Sequence, residues 1–236
     1  MSAQSERRID RRPFPGTVYT ASNSVAGNAI LLFDRLGDGR LVPAGSVATG
    51  GTGTGAGLGN QGGLSLTRNE RWLLAVNAGS DSLSVFEVRK RGLRLADVTP
   101  TGGSQPISVT EHRGVVYVVH AGSDTIAGFT LGRNGRRQPL AGSIHGLSGT
   151  GVGPAQIAFT PDGDSLLVTE KNTNRIVTFD IDRSGLPTDQ RVQDASAVTP
   201  FGFAFAKRDQ VSSPRHLAAR RTPARRRPTR LTGAGS

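Results

Sequence analysis

The chain of 236 residues has no cysteine, which removes disulfide bridges, thiolate nucleophiles and cysteine-ligated zinc together. Aromatic residues make up only 5% of it, and no apolar run approaches the length of about 18 residues that a membrane helix needs. The opening MSAQSERRIDRRPFPG carries four arginines but no apolar h-region and no small-residue cleavage site. It does not read as a secretory signal, and a cytoplasmic location is expected. Histidine is scarce too: His112, His120, His145 and His216 show no metal-ligand spacing, so no metal and no cofactor are expected.

Acidic residues are outnumbered, 18 against 29 Lys and Arg, for a formal net charge of +11. Where that charge sits matters more than its size. Between Lys207 and Ser236 there are nine Lys or Arg and one acid, Asp209, and residues 1–12 hold four arginines and two acids. Residues 13–206 are therefore near neutral. The segment after Lys207 is rich in Arg, Pro and Ala, has no strand-length apolar run, and is expected to be a disordered basic tail. Charge alone would let it touch nucleic acid or anionic lipid, but no aromatics are interleaved for base stacking. No specific nucleic-acid partner and no membrane partner are expected. An interrupted or frame-shifted reading in an Arg/Pro/Ala-biased context explains it more simply.

Glycine, by contrast, is abundant at 32 residues, which suits tight turns between short strands. The clearest meander is Pro154–Pro187: apolar runs at Ile157–Phe159, Leu166–Thr169 and Ile176–Ile181, broken by turns at Pro161–Gly163 and Glu170–Asn174. It repeats. WLLAVNAGSDSLSVFEV (Trp72–Val88), VVYVVHAGSDTIAGFTL (Val115–Leu131) and SLLVTEKNTNRIVTFDI (Ser165–Ile181) superpose without gaps, aligning Ser82, Thr125 and Arg175. The starts are 43 and 50 residues apart. A period of roughly 40–50 residues with three or four strands per unit indicates an all-β fold, a β-propeller of antiparallel blades.

The organisation expected is a flexible arm over 1–13, a partial propeller over 14–206 and the tail over 207–236. Blades are placed at about 14–50, 62–103, 106–148 and 154–195. A fifth begins at Thr199 with TPFGFAFAKRD and lacks the second strand that should follow. Four blades and a fragment are read as an incomplete ring, an open arc with raw edges and marginal stability. Oligomeric state stays open.

Several phrases together resemble the lactonase-type seven-bladed β-propellers, which include 6-phosphogluconolactonase-like proteins and carboxymuconate cyclases. They are GGTGTGAGLGNQGGLSL (Gly50–Leu66), WLLAVNAGSDSLSVFEV, GGSQPISV (Gly102–Val109), GTGVGPAQIAFTPDG (Gly149–Gly163), LLVTEKNTN (Leu166–Asn174) and TPFGFAF (Thr199–Phe205). The resemblance implies a lactone or sugar acid as small-molecule partner. It also implies a Gly-Pro-Arg-His phrase opening a blade, with a glutamate one strand later. Here the phrase reads Gly153-Pro154-Ala155-Gln156, while Glu170 does match the glutamate. Glutamine cannot exchange a proton near neutral pH and alanine offers no cation, so weak or absent hydrolase or cyclase activity is expected.

The candidate catalytic residues are therefore Glu170 and His120, the latter aligning with Glu170 and Asn77 at the end of a second strand. Gln61, Gln105 and Gln156 each precede a first strand, 44 and 51 residues apart, and are expected to converge on one channel mouth as amide donors. They could equally satisfy loop backbone groups. Lys171 and Asn77 complete the candidate substrate-binding set. The phrase Gly57-Leu58-Gly59-Asn60-Gln61-Gly62 fits G-x-G-x-x-G, but no βαβ unit surrounds it, and it reads as an inter-blade loop needing positive φ angles. A non-catalytic propeller binding a small molecule or a protein on its loop face is the alternative to an enzyme.

Overall fold

The computed structural model describes residues 13–206 and 210–212. The basic tail beyond Ser212 and the arm before Pro13 lie outside the described residues. Among the described residues there are eighteen strands and no helix.

Unit one is a three-stranded sheet of β1 (Pro13–Ala21), β2 (Ala29–Leu36) and β3 (Leu41–Ala48). Unit two holds β4 (Leu64–Leu66), β5 (Trp72–Asn77), β6 (Ser82–Val88) and β7 (Leu93–Pro100) in sequence order. Unit three has β8 (Pro106–His112), β9 (Val115–His120), β10 (Thr125–Leu131), β11 (Arg137–Pro139) and the two-residue β12 (His145–Gly146), the last two both pairing with β10. Unit four is β13 (Pro154–Phe159), β14 (Ser165–Glu170), β15 (Arg175–Ile181) and β16 (Pro187–Asp194). A fifth begins as a hairpin of β17 (Ala204–Ala206) and β18 (Gln210–Ser212). Every pairing is antiparallel and, β12 apart, joins sequence neighbours, as a meander requires; among the described residues the sheets do not close into a ring.

The short strand Gln210–Ser212 corrects the expectation of a segment without strands after Lys207. A backbone ladder across so short a connection asks little loop-closure entropy and needs no apolar run. The expected arm likewise ends one residue sooner, because Pro13 is already in β1.

The core lies between the blades. Alternate residues of each strand face opposite sides of the sheet, so a middle blade packs on two neighbours. Ile30, Leu73, Ala75 and Phe86 join units one and two; Leu74, Leu83, Val85, Val116 and Val118 join two and three; Tyr117, Ile126, Leu166, Val168 and Phe179 join three and four. All six residues of β5 are consequently buried. A buried ion pair adds to the second junction. Arg137, its side chain fully enclosed, donates to Asp97 Oδ2 at 3.2 Å and to Leu83 O at 2.5 Å, and burial pulls its pKa down to about 10.

The same turn recurs at each junction. Asp81, Asp124 and Asn174 end the hairpins between second and third strands at φ of +52°, +51° and +57°, a region that Asp and Asn tolerate. Each side chain accepts a hydrogen bond at 2.7 Å from a backbone N–H entering the next unit, that of Gln105, Gly151 and Thr199 respectively. The fifth unit is thus fastened to the fourth as the third is to the second.

Candidate functional site

Three second strands, β5, β9 and β14, end in Asn77, His120 and Glu170, opposite Ser82, Thr125 and Arg175. All three side chains are fully buried. Asn77 donates to Ser82 Oγ (3.1 Å) and Ser84 Oγ (2.8 Å) and accepts from Asn28 (3.0 Å). His120 holds Nδ1 at 3.2 Å from Thr125 O, and its Nε2 is buried with no hydrogen-bond partner among the described residues. Burial holds the His120 pKa below its ordinary value, against the opposing effects of the Thr125 carbonyl and the Asp81 charge.

Glu170 is as fully engaged as Asn77, with three hydrogen bonds. Its Oε1 accepts from the Ser148 N–H (2.9 Å), and its Oε2 accepts from Ser148 Oγ (2.5 Å) and Thr173 Oγ1 (2.6 Å). The three positions are equivalent in register, as the gapless alignment predicts, and each sits where the loop from the preceding unit arrives. Chemically different side chains occupy one mechanical post. Ser148 carries no signal in the sequence that marks it as a partner of Glu170. Thr173 aligns with Ser80 and Ser123, a hydroxyl at one repeat position, and that signal is readable.

The three glutamines do not share a register. Gln105 sits at φ +55° in the junction turn, donating its N–H to Asp81. Gln156 is the third residue of β13, opposite Thr169 and so equivalent to Ser108, which lies opposite Val119. Gln61 precedes β4 and donates its N–H to Ala155 O at 2.9 Å. Equal sequence spacing misleads here because β8 and β13 each carry a bulge, between Pro106 and Ser108 and between Pro154 and Gln156, and the loops between units differ in length.

Gln61 and Gln156 do meet. A methyl group added at Gly202 would lie 3.0 Å from Gln61 Cγ and 3.6 Å from Gln156 Oε1, so both border that glycine. The Gln156 amide is occupied by the fifth unit: Nε2 donates to Phe203 O (3.1 Å) and Oε1 accepts from Phe203 N (2.9 Å). Ser108 makes the equivalent link between units three and four, accepting from Ile157 N at 3.2 Å. These side chains bridge neighbouring inner strands.

Gly57–Gly62 leads into β4, not into a helix, and crosses to the inner strands of units three and four. The bulges leave the carbonyls of Ile107 and Ala155 free to accept from outside the ladder, and the crossing segment supplies the donors: Asn60 Nδ2 to Ile107 and the Gln61 N–H to Ala155. Gly62 O then accepts from Val109 N at 2.8 Å. Gly59 and Gly62 hold φ of +57° and +73°, which side chains rarely adopt. Lys171, just past Glu170, donates from Nζ to Gly59 O at 2.5 Å and stands 5.4 Å over the Phe201 ring. Partial burial lowers its pKa. Beside Gln61 and Gln156, Lys171 is the ionisable group that solvent still reaches.

The remaining histidines serve as packing: His112 lies 5.7 Å from the Phe159 ring and His145 6.2 Å from that of Phe179, while His216 is outside the described residues. Among the described residues no group of three or more metal-ligating side chains forms.

Comparison with known proteins decides the lineage of this arrangement. A sequence model described as lactonase, seven-bladed β-propeller, matches residues 26–150, just over half the chain. The chain belongs to this lactonase family. No curated protein sequence matches it. Among solved structures, the lactonase-family chain resembles the periplasmic gluconolactonase of Pseudomonas aeruginosa at 21% identity and a TM-score of 0.64, covering 83% of this chain and 59% of that one. It also resembles a candidate 6-phosphogluconolactonase from Bacteroides uniformis at 18% identity and a TM-score of 0.60, covering 80% of this chain and 56% of that one. Hydrazine synthase of Kuenenia stuttgartiensis matches as well, at 18% identity and a TM-score of 0.52, covering 86% of this chain and 56% of that one. Identities this low speak for fold only, and the third shows how little they constrain chemistry. The lactonase-family chain spans 56–59% of the length of these three.

Proposed function

We propose that this lactonase-family propeller binds a small lactone or sugar acid at the mouth bordered by Gln61, Gln156 and Lys171, and turns lactones over weakly or not at all. The observation that carries this reading is the state of Glu170. Both of its oxygens are taken by Ser148 and Thr173 in a fully buried corner. A general base must reach the proton it removes, and full burial keeps the remaining lone pair of Glu170 away from a ligand. His120, the other catalytic candidate, is equally enclosed. At the two positions where the resemblance calls for Arg and His, Ala155 is buried and Gln156 holds Phe203. What remains is the Lys171 ammonium, the Gln61 amide and the second N–H of the Gln156 amide, a set suited to gripping hydroxyl and carboxylate oxygens rather than to moving protons.

The test is turnover of a panel of sugar and muconate-type lactones by the purified chain, followed by proton release, beside Glu170→Gln. Rates at the uncatalysed background in both are expected. Hydrolysis that disappears in Glu170→Gln would overturn the reading.

A further inference from the structure

The crossing segment has two fixed points and a free crest. Upstream, Ala56 O accepts from Asn23 Nδ2 at 2.8 Å; downstream, Asn60 and Gln61 hold the bulge carbonyls of Ile107 and Ala155. Between them lie Gly57, Leu58 and Gly59, of which both glycines are exposed and Leu58 is half-buried against the core between units three and four. The one polar tie on this crest among the described hydrogen bonds is that from Lys171 Nζ to Gly59 O.

Lys171 is poorly matched by that tie. An ammonium carries three donors and makes its strongest hydrogen bonds to anionic oxygens, whereas Gly59 offers one neutral carbonyl. No carboxylate forms an ion pair with Lys171 among the described residues; Glu170, next to it in the chain, is turned into Ser148 and Thr173. The ammonium is partly desolvated and faces the Phe201 ring, which favours its charge but supplies no hydrogen-bond acceptor. Partial desolvation also makes any counter-anion worth more to it than to a fully hydrated lysine.

We propose that the Gly59 carbonyl is a placeholder on Lys171, and that the Gly57–Gly59 crest is a strap displaced when a small carboxylate or phosphate takes the ammonium. The inference rests on the mouth being a binding surface, as proposed for Gln61, Gln156 and Lys171, and adds its gate and the charge of its ligand. Flanking glycines let the crest move with little backbone strain, and Leu58 is the weight that holds it down. Lifting it costs free energy, so the apparent affinity of the ligand is lowered by the fraction of molecules in which the strap is open.

The experiment titrates the chain with D-gluconate and, separately, with inorganic phosphate, by calorimetry, and follows amide exchange over residues 57–61. Leu58→Ala and, as a second variant that leaves the core contact intact, Asn60→Ala loosen the strap. Both are expected to tighten binding by roughly 3–10-fold, as removal of a closed-state preference should. Lys171→Met is expected to abolish binding, and ligand is expected to speed exchange at 57–61. Tightening in Leu58→Ala alone still supports the strap, since that residue holds the crest itself. Binding that survives in Lys171→Met, affinity unchanged in both strap variants, or exchange slowed by ligand would each overturn the strap while leaving the mouth as a binding surface. Failure of both probes to bind wild type and both loosened variants would overturn the two together. Which probe binds distinguishes a carboxylate from a phosphate ligand.

Discussion

The corners at Asn77, His120 and Glu170 and the mouth at Gln61, Gln156 and Lys171 adjoin one another and are opposite in physical character. Corner side chains are fully buried, and those of Asn77 and Glu170 have every strong hydrogen-bonding atom engaged within the fold. Lys171, at the mouth, keeps donors to offer and a carbonyl that could be exchanged for something better. In a repeat fold the position after a second strand must steady an incoming loop, and any of three polar residues serves if its partners are co-placed. Sequence alignment to a catalytic residue therefore identifies a place in the framework before it identifies a role in chemistry.

This contrast can be broken at either end. The largest effect is expected for Glu170→Ala, which leaves the Ser148 N–H and two hydroxyls without an acceptor in a buried corner. Denaturant titration should show a loss of about 2–4 kcal/mol, the cost of stranding buried donors plus a cavity. Calorimetric gluconate binding by the folded fraction should be unchanged. Gln156→Ala comes next: losing both bonds to Phe203 should cost about 1–2 kcal/mol and reduce amide protection at Phe203, while units two and three keep theirs.

His120 gives a smaller, pH-dependent effect. Its folded pKa lies below the ordinary value near 6.5, so the unfolded chain binds the proton more readily, and stability falls as pH drops below that value. Thermal melts at pH 7.5 and 5 should differ for wild type. In His120→Asn, which copies the residue of unit two, the share of the pH slope due to this imidazole should vanish; an unchanged slope would mean His120 is not the titrating group. Smallest of all, Lys171→Met should move stability by less than about 0.5 kcal/mol, as partly exposed substitutions usually do, while removing ligand binding.

Much of the fold was readable because it repeats. The gapless alignment of Trp72–Val88, Val115–Leu131 and Ser165–Ile181 starts the second and third strands on the residues where β5, β6, β9, β10, β14 and β15 begin. Apolar periodicity is strong there because those strands are packed on both faces. The outer strand β16 was harder to read, since seven of its eight residues are exposed and carry no apolar pattern. At the site, the residue types at Ala155, Gln156 and Glu170 were legible as identities. Their geometry was not: bulges add a residue that no composition reveals, and the crossing of Gly57–Gly62 to units three and four is a contact between segments some 50 to 110 residues apart. A glycine-rich phrase shows that the chain can bend, not where it lands.

The hydrogen bonds from Gln105, Gly151 and Thr199 to the hairpin residues before them have a consequence for how the molecule comes apart. Each joins one unit to the next and to nothing beyond, so opening one leaves the others intact. Apart from the Gly57–Gly62 crossing, which ties the entry of unit two to unit four, such a chain unravels as a row of linked pieces rather than all at once. Slow exchange should be deepest at units two, three and four, which have a neighbour on each side, and shallower toward units one and five. Under steady pulling from its ends the protein should yield in steps, one unit at a time, with the terminal units giving way first.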